Sequence, residues 1–441
     1  MKRKIAMHKT GIGRGQSLFA LLSGFFFLFF FSSSVLASPE ELEGVRQQIQ
    51  NKGARWQAAE TSISKLPAEQ RLMRLGFPKE SFIVPEGAHV LSTTPTAGTA
   101  IPATLNYNID SYVTPIRDQG NCGSCWAFGT TAALESQYLM STNGVGWSSL
   151  NLSEQILLSC SNAGNCSAGG YIDLASDFIQ STGLPLASYY PYTELNWNSG
   201  PDSSCSNAAS NWQNDTYSIK GWEWVATTAP TAAALKSALN TYGPLVTTMN
   251  IYTDFYYYSG GVYSYSYGSY QGAHVIEIIG YDDNENCFIV KNSWGTGWGE
   301  SEPGSVTMTG FFRIDYDQID KIIDVRDGGP EFGWYTAAYE GYKARQNTCT
   351  YSISPRSVSV TYSGGYADVT VSSQPSCPWT AVSNVNWITV VSGANGTGDG
   401  TVRYYVYPNN TPETWTGTLT IGYKTFTVTQ NAEPQPSRRR H

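Results

Sequence analysis

The chain has 441 residues, too many for one ordinary domain, so two or three folded units are expected. Only 14% of the residues are charged while 13% are aromatic, a balance that suits a β-rich extracellular protein better than a cytosolic enzyme. The net charge is −8 with no basic stripe outside the ends, which argues against a nucleic-acid partner.

Lys2, Arg3, Lys4, Lys9 and Arg14 precede an apolar run from Leu18 to Phe31, followed by Ser32-Ser33-Ser34 and the small-residue cleavage pattern Val35-Leu36-Ala37. That run is short for a membrane span, so residues 1–37 read as a signal peptide, with an uncleaved anchor as the alternative. The mature chain is then expected outside the cytoplasm, extracellular or periplasmic. Residues 38–100 begin with mixed helical periodicity over Leu42–Ala59, interrupted by Gly53, and a second short helix is expected over Leu66–Leu75 from near Pro67. From Phe77 to Ala100 the pattern is lost to Pro78, Pro85, Thr93, Thr94, Pro95 and Gly98. Such a strip can lie along a cleft without folding in it.

Ile101-Pro102 opens a new unit. Residues 119–128 read QGNCGSCWAF, where Cys125 ends a Gly-Ser turn and opens an apolar run that reads as a helix over Ala127–Met140. A cysteine at a helix N-terminus meets the positive end of the macrodipole, which lowers its pKa toward thiolate. Gln119, six residues upstream, can offer a side-chain amide to an oxyanion. Ser153 reads as the N-cap of a helix over EQILLSC. From Tyr217 onward, alternation and β-branched residues predict strands in GPLVTTMNI, GGVYSYS, GAHVIEIIGY, NCFIVKNSW and SVTMTGFFRIDY. Past Tyr351 a run of short alternating strands with regular Gly, Asn, Pro and Thr turns predicts a small β-sandwich, and Glu433–His441 reads as a disordered tail.

A nucleophilic thiol needs a base. His8, His89 and His441 fall in the terminal or linking segments, which leaves His274 in GAHVIEIIGY. The base in turn needs an orienting acceptor, and Asn292 in KNSWGTGWGE can take one ring N–H and leave the other nitrogen facing Cys125. Trp294 can lie over that bond and exclude water. A redox or zinc reading of Cys122-Gly-Ser-Cys125 is the competitor, but no second ligand pair is placed to complete a zinc site.

The segment from Ile101 through QGNCGSCWAF, together with GAHVIEIIGY and KNSWGTGWGE, resembles the papain-like cysteine peptidases of secreted bacterial type; C-G-[SA]-C-[WY] is a local signature of that family. The resemblance implies an α+β, two-lobe fold, a helical lobe against an antiparallel, barrel-like β lobe, over residues 101–343. It implies a propeptide at 38–100 (a plain spacer being the alternative) and a zymogen with no cofactor or metal, acting on protein or peptide substrates, with its own propeptide as inhibitor. Cys125, His274, Asn292 and Gln119 are the implied catalytic set. Gly123, Ser124, Gly169, Gly170, Tyr171, Ala273 and Trp294 are the implied substrate-binding positions. The resemblance also pairs Cys122 with Cys166 and Cys160 with Cys205. Each would close a loop worth about 4 kcal/mol in the chain-entropy account. Cys349 and Cys377 are left to bridge the linker to the sandwich, and Cys287 to remain a buried free thiol. Residues 350–431 resemble the BACON domain, which implies a glycan or glycoprotein ligand, with residues 432–441 a tail and the whole a monomer. An adhesion protein with an inert enzyme lobe, or a transpeptidase using the same thiol, are the competing readings.

Overall fold

In a computed structural model, the structure describes residues 39–88, 90–91, 101–198, 200, 202–300, 309–321, 329–343, 349–375 and 377–434. The expected signal peptide at 1–37, His8, His89, His441, residues 301–308, the Pro- and Thr-rich strip past Leu91 and the tail beyond residue 434 lie outside the described residues.

Helix α1 (Pro39–Lys52) buries Leu42, Val45 and Ile49, one face at helical spacing. It ends earlier than the periodicity predicts. Gly53 takes a φ of 60° and the N–H of Ala54 returns to the carbonyl of Ile49, a helix stop that favours glycine. Beyond it, Arg55–Ala58 form strand β1, with Trp56 and Ala58 buried, rather than a continuation of the helix. This four-residue stretch alternates, and an open sheet edge is available to it, so tertiary pairing overrides the helical reading. Helix α2 (Ala68–Leu72) follows from Pro67, and the chain then passes through a short 3-10 turn at Lys79–Ser81, bridging to Ala273 through Phe77 and to Trp224 through Val90.

Strand β2 (Thr104–Asn106) leads to the central helix α3 (Cys125–Ser141), of whose 17 residues 14 are buried. Helix α4 (Glu154–Cys160) is capped by Ser153, whose Oγ accepts from the Ile156 N–H at 3.2 Å. A hairpin of β3 (Gly164–Asn165) and β4 (Gly169–Gly170) precedes α5 (Ile172–Ser181). Disulfides Cys122–Cys166 and Cys160–Cys205 close this helical lobe.

The second lobe contains β5 (Ser218–Ile219), β6 (Trp222–Ala226), α6 (Ala232–Tyr242), β7 (Leu245–Tyr252), β8 (Tyr258–Tyr263), β9 (Tyr270–Asp282), β10 (Cys287–Lys291), β11 (Phe311–Asp315), β12 (Thr336–Tyr339) and β13 (Tyr342–Lys343). Its large sheet runs β1-β8-β11-β10-β9-β7-β12-β6, with β2 added on β9. The sheet is not wholly antiparallel, because β11 pairs with β8 in parallel. Nine consecutive residues of β9, Ala273–Tyr281, are buried, as expected for a strand covered on both faces. Cys287 on β10 is buried and unpaired.

The last unit has two facing sheets built from β14 (Tyr351–Ser354), β15 (Ser357–Val360), β16 (Gly365–Ser373), β17 (Pro378–Ser383), β18 (Ile388–Ser392), β19 (Asn395–Thr397), β20 (Gly400–Val406), β21 (Trp415–Ile421) and β22 (Lys424–Gln430). Their orders are β14-β16-β20-β18 and β15-β22-β21-β17-β19, around a core that includes Val369, Trp379, Val402, Tyr404, Leu419 and Phe426. Cys349–Cys377 ties the incoming chain to β17.

Candidate active site

The site forms where the start of α3 meets β9 and the loop after β10. Cys125 is the first residue of α3 and fully buried. Its sulfur accepts from the Gly76 N–H at 3.3 Å and lies against the backbone N–H of Val275, the residue after His274. A helix start and nearby amides were expected to favour thiolate. Here burial dominates and pushes the thiol up to about 11, against the pull of the Val275, Gly76, Trp126 and Cys125 amides. The cause is the segment 74–77, which covers the sulfur and removes it from water.

His274 Nε2 lies 2.8 Å from Asn292 Oδ1. That oxygen also accepts the Ser293 N–H and cannot donate, so Nε2 carries the proton and Nδ1 is left as the basic nitrogen. Nδ1 has no side-chain partner and no well-aligned hydrogen bond, although the Arg74 backbone lies close enough to act on the ring. Burial pushes the imidazole down to about 4, opposed by Asn292 and by the Arg74 backbone and reinforced by the Arg74 charge. The Trp294 ring sits 4.9 Å from the imidazole centroid and is fully buried, which keeps water off the His274–Asn292 bond.

Gln119 is held by its oxygen. Ser293 Oγ donates to Gln119 Oε1 at 2.8 Å, which turns the amide nitrogen toward the cleft, where it donates to the carbonyls of Cys122 at 2.8 Å and Arg74 at 3.0 Å. Ser293 therefore orients both the amide and, through its own N–H, Asn292. It was not singled out in the sequence; its place inside KNSW is the only signal it leaves there.

Of the positions expected to meet substrate, Gly123, Gly169, Gly170, Tyr171 and Ala273 are met by the chain's own residues 74–82. Gly170 donates to the Gly76 carbonyl at 2.9 Å, and Phe77 donates to the Ala273 carbonyl at 3.2 Å. Gly169 adopts a φ of 72°, and a Cβ there would stand 2.2 Å from the Gly76 oxygen. A Cβ on Gly76 itself would stand 1.9 Å from the Gly123 oxygen, so backbone packs on backbone with no room for a side chain. Tyr171 stacks on Phe82 at 5.7 Å and meets Ser81 Oγ through its hydroxyl at 3.1 Å. Trp224 and Tyr335 also face Phe82, at 6.0 and 5.0 Å, and neither was predicted for this pocket because both are remote in sequence from the motifs. Ser124 turns its hydroxyl away into the lobe, onto Tyr192 at 2.7 Å.

Behind the site a buried ionic group ties the lobes. Ser136 of α3 donates to Glu277 of β9 at 2.8 Å, and Lys291 donates to Thr114 at 2.8 Å while standing 3.9 Å from Glu277. Burial pushes the carboxyls of Glu154 and Glu277 up to about 7. Among the described residues, no group of His, Cys, Asp and Glu is placed to hold a metal ion.

A family profile described as "Papain family cysteine protease" matches residues 101–319. Through those residues the chain belongs to the papain family, and is a peptide-bond hydrolase. It is 28% identical over 298 residues to "Cathepsin B-like CP3" of Giardia intestinalis, covering 65% of this chain and 93% of that protein. It is 37% identical over 228 residues to "Senescence-specific cysteine protease SAG39" of Oryza sativa subsp. indica, covering 50% of this chain and 60% of the rice protein. The chain thus spans about three fifths of the rice relative's length. Among solved structures, "proCathepsin B S9 from Trypanosoma congolense" superposes with a TM-score of 0.54 at 19% identity, covering 68% of this chain and 97% of that one. Digestive procathepsin L2 from Tenebrio molitor superposes at 0.52 and 23% identity, covering 68% and 89%. At these identities the likeness is one of fold, and both of those structures are of proenzymes.

Proposed function

We propose that residues 101–343 form an endopeptidase made as a zymogen, in which Cys125 attacks the peptide carbonyl and His274 moves the proton. The single observation that carries this reading is the imidazole, fixed through Nε2 by Asn292 under Trp294, with Nδ1 free of any side-chain partner and the next residue's amide against the Cys125 sulfur. Once the cleft is open to water, the desolvation that holds the pair neutral is relieved and thiolate–imidazolium becomes accessible. Sulfur adds to the carbonyl carbon while Gln119 Nε2 and the Cys125 N–H take the developing oxyanion, each such donor being worth about 3 kcal/mol. His274 passes its proton to the leaving amine, and water, deprotonated by the same nitrogen, releases the acyl group from the thioester.

Residues 39–91 act as the inhibitor in this reading. The Arg74 carbonyl takes the Gln119 donor and Gly76 caps the sulfur, so the two groups needed for attack are both engaged. The aromatic wall of Tyr171, Trp224 and Tyr335 around Phe82 suits substrates with a bulky apolar side chain two residues before the scissile bond. The leader at 1–37 supports secretion, and residues 350–431 support targeting to glycans or glycoproteins, as their BACON-like sequence suggests. A small seam cavity of about 220 Å³ lined by Tyr189, Asn211, Asp215, Trp379 and Tyr423 sets aromatic side chains beside amide and carboxylate groups, a set suited to part of a sugar ring.

Incubating the full chain at mildly acidic pH with thiol tests the catalytic reading. Loss of residues 38–100 in the wild type but not in Cys125→Ala is expected; no peptide-bond turnover by either would sink it. Retention of the full chain on immobilised mucin glycans, lost with residues 350–431 removed, tests the targeting.

A further inference from the structure

Residues 74–82 cross the sulfur in a definite direction. Arg74 lies at Gln119, Gly76 at Cys125 and Gly170, and Phe82 at Tyr171. Tyr171 borders the acyl side of a bound peptide in the reading above, so the opposite side, where Arg74 sits, is the leaving-group side. There the Arg74 guanidinium meets Asp118 Oδ1 at 2.7 Å, with the arginine side chain 7% exposed and the aspartate 44% exposed. The carboxylate is held in place without the arginine. Its Oδ1 also accepts the Gly120 N–H at 2.8 Å, its backbone bridges to Trp294, and Oδ2 lies over Gly295, where a Cβ would stand 3.1 Å away. The neighbouring cation, Arg117, is directed elsewhere, toward Glu135 and Glu154 at 3.7 Å each. Removal of the segment therefore leaves a preformed anionic subsite beside the oxyanion donor.

We propose that Asp118 is a specificity determinant of this peptidase, selecting a basic side chain on the residue directly after the scissile bond, with Arg74 as its built-in stand-in. This rests on the peptidase reading above. Only the side-chain contact is carried over from the inhibitory segment, not its backbone polarity. A guanidinium or ammonium there gains a charge-assisted hydrogen bond, and a carboxylate is repelled. The site is half open to solvent, so the gain is modest and screened by salt.

The test uses the full chain after processing to its mature form, and three fluorogenic peptides identical except for Arg, Gln or Glu directly after the cleaved bond. In wild type at low salt, kcat/KM is expected to fall in the order Arg, Gln, Glu, with Arg over Gln by about fivefold. Raising sodium chloride tenfold should compress that ratio. Asp118→Asn keeps the acceptor for Gly120 and should bring the ratio to about one. A wild-type ratio of one, or a ratio kept in Asp118→Asn, overturns the assignment while leaving the peptidase intact. No turnover of any peptide overturns the peptidase reading and this one with it.

Discussion

The segment proposed as the inhibitor has two halves that hold differently. Residues 39–58 anchor by burial: Leu42, Val45, Ile49 and Trp56 sit in the core of the β lobe, and the Trp56 indole donates to Ser264 O at 2.9 Å and Ser266 Oγ at 3.1 Å. Residues 74–82 add backbone pairing and ion pairs to the packing of Phe77 and Phe82, with Arg74 on Asp118 and Lys79 on Glu331. Where the sulfur is covered there is a glycine and no side chain. The half that inhibits is thus the one that meets the catalytic groups, and the anchoring half touches none of them. Such a division lets the strap lift while the anchor stays.

The largest expected effect separates chemistry from both halves. Cys125→Ala should lower turnover by at least about 10⁴-fold with both halves still docked, read as peptidase rate beside an unchanged tryptophan spectrum. Trp56→Ala should strike the anchor: loss of a buried tryptophan costs about 3–5 kcal/mol, a hundredfold or more in occupancy of the closed form, measured as the rate at which Cys125 in the zymogen is alkylated. Gly76→Ala should strike the strap alone, since its Cβ meets backbone. An overpacking cost of about 1–3 kcal/mol predicts roughly tenfold to hundredfold faster alkylation with the anchor's hydrogen-exchange protection retained. If protection at α1 falls equally, the two halves are one cooperative unit.

Acid should act on the strap in a definite sense. In the closed form burial holds His274 near 4, whereas an exposed imidazole titrates near 6.5. In Cys125→Ala, where no thiolate shares the proton with the imidazole, the open form binds more protons between those values. The stabilisation of the closed form is present above about pH 6.5 and is lost as pH falls toward 4, by up to about tenfold per unit for one proton. Exchange of the Gly76 and Phe77 amides, corrected for intrinsic rate, should rise across that window, and a flat profile would exclude this coupling. The smallest effect is Tyr171→Ala, which removes the stack on Phe82, worth about 1 kcal/mol, and should raise strap opening only severalfold.

Cys125, His274, Asn292 and Gln119 were legible because each sits inside a short string whose local chemistry is unusual, and elimination left one histidine. The helix at 125–141 and the alternating strands were legible from period. The stop at Gly53 was visible as an interruption, but the strand after it was not, because four residues do not pair until β8 offers an edge. Nor did any local signal mark Gly76 as the residue over the sulfur, Ser293 as the group orienting Gln119, or Trp224 and Tyr335 as walls around Phe82.

By itself the sequence determined which side chains are proposed to carry the chemistry, which elements hold them and that an all-β unit follows, since these depend on residue type and short-range spacing. Only the tertiary structure decided the state of that chemistry. A thiol at a helix start is an activated one in water and a protonated one under Gly76. The difference is desolvation by residues about fifty positions away, which no local pattern encodes.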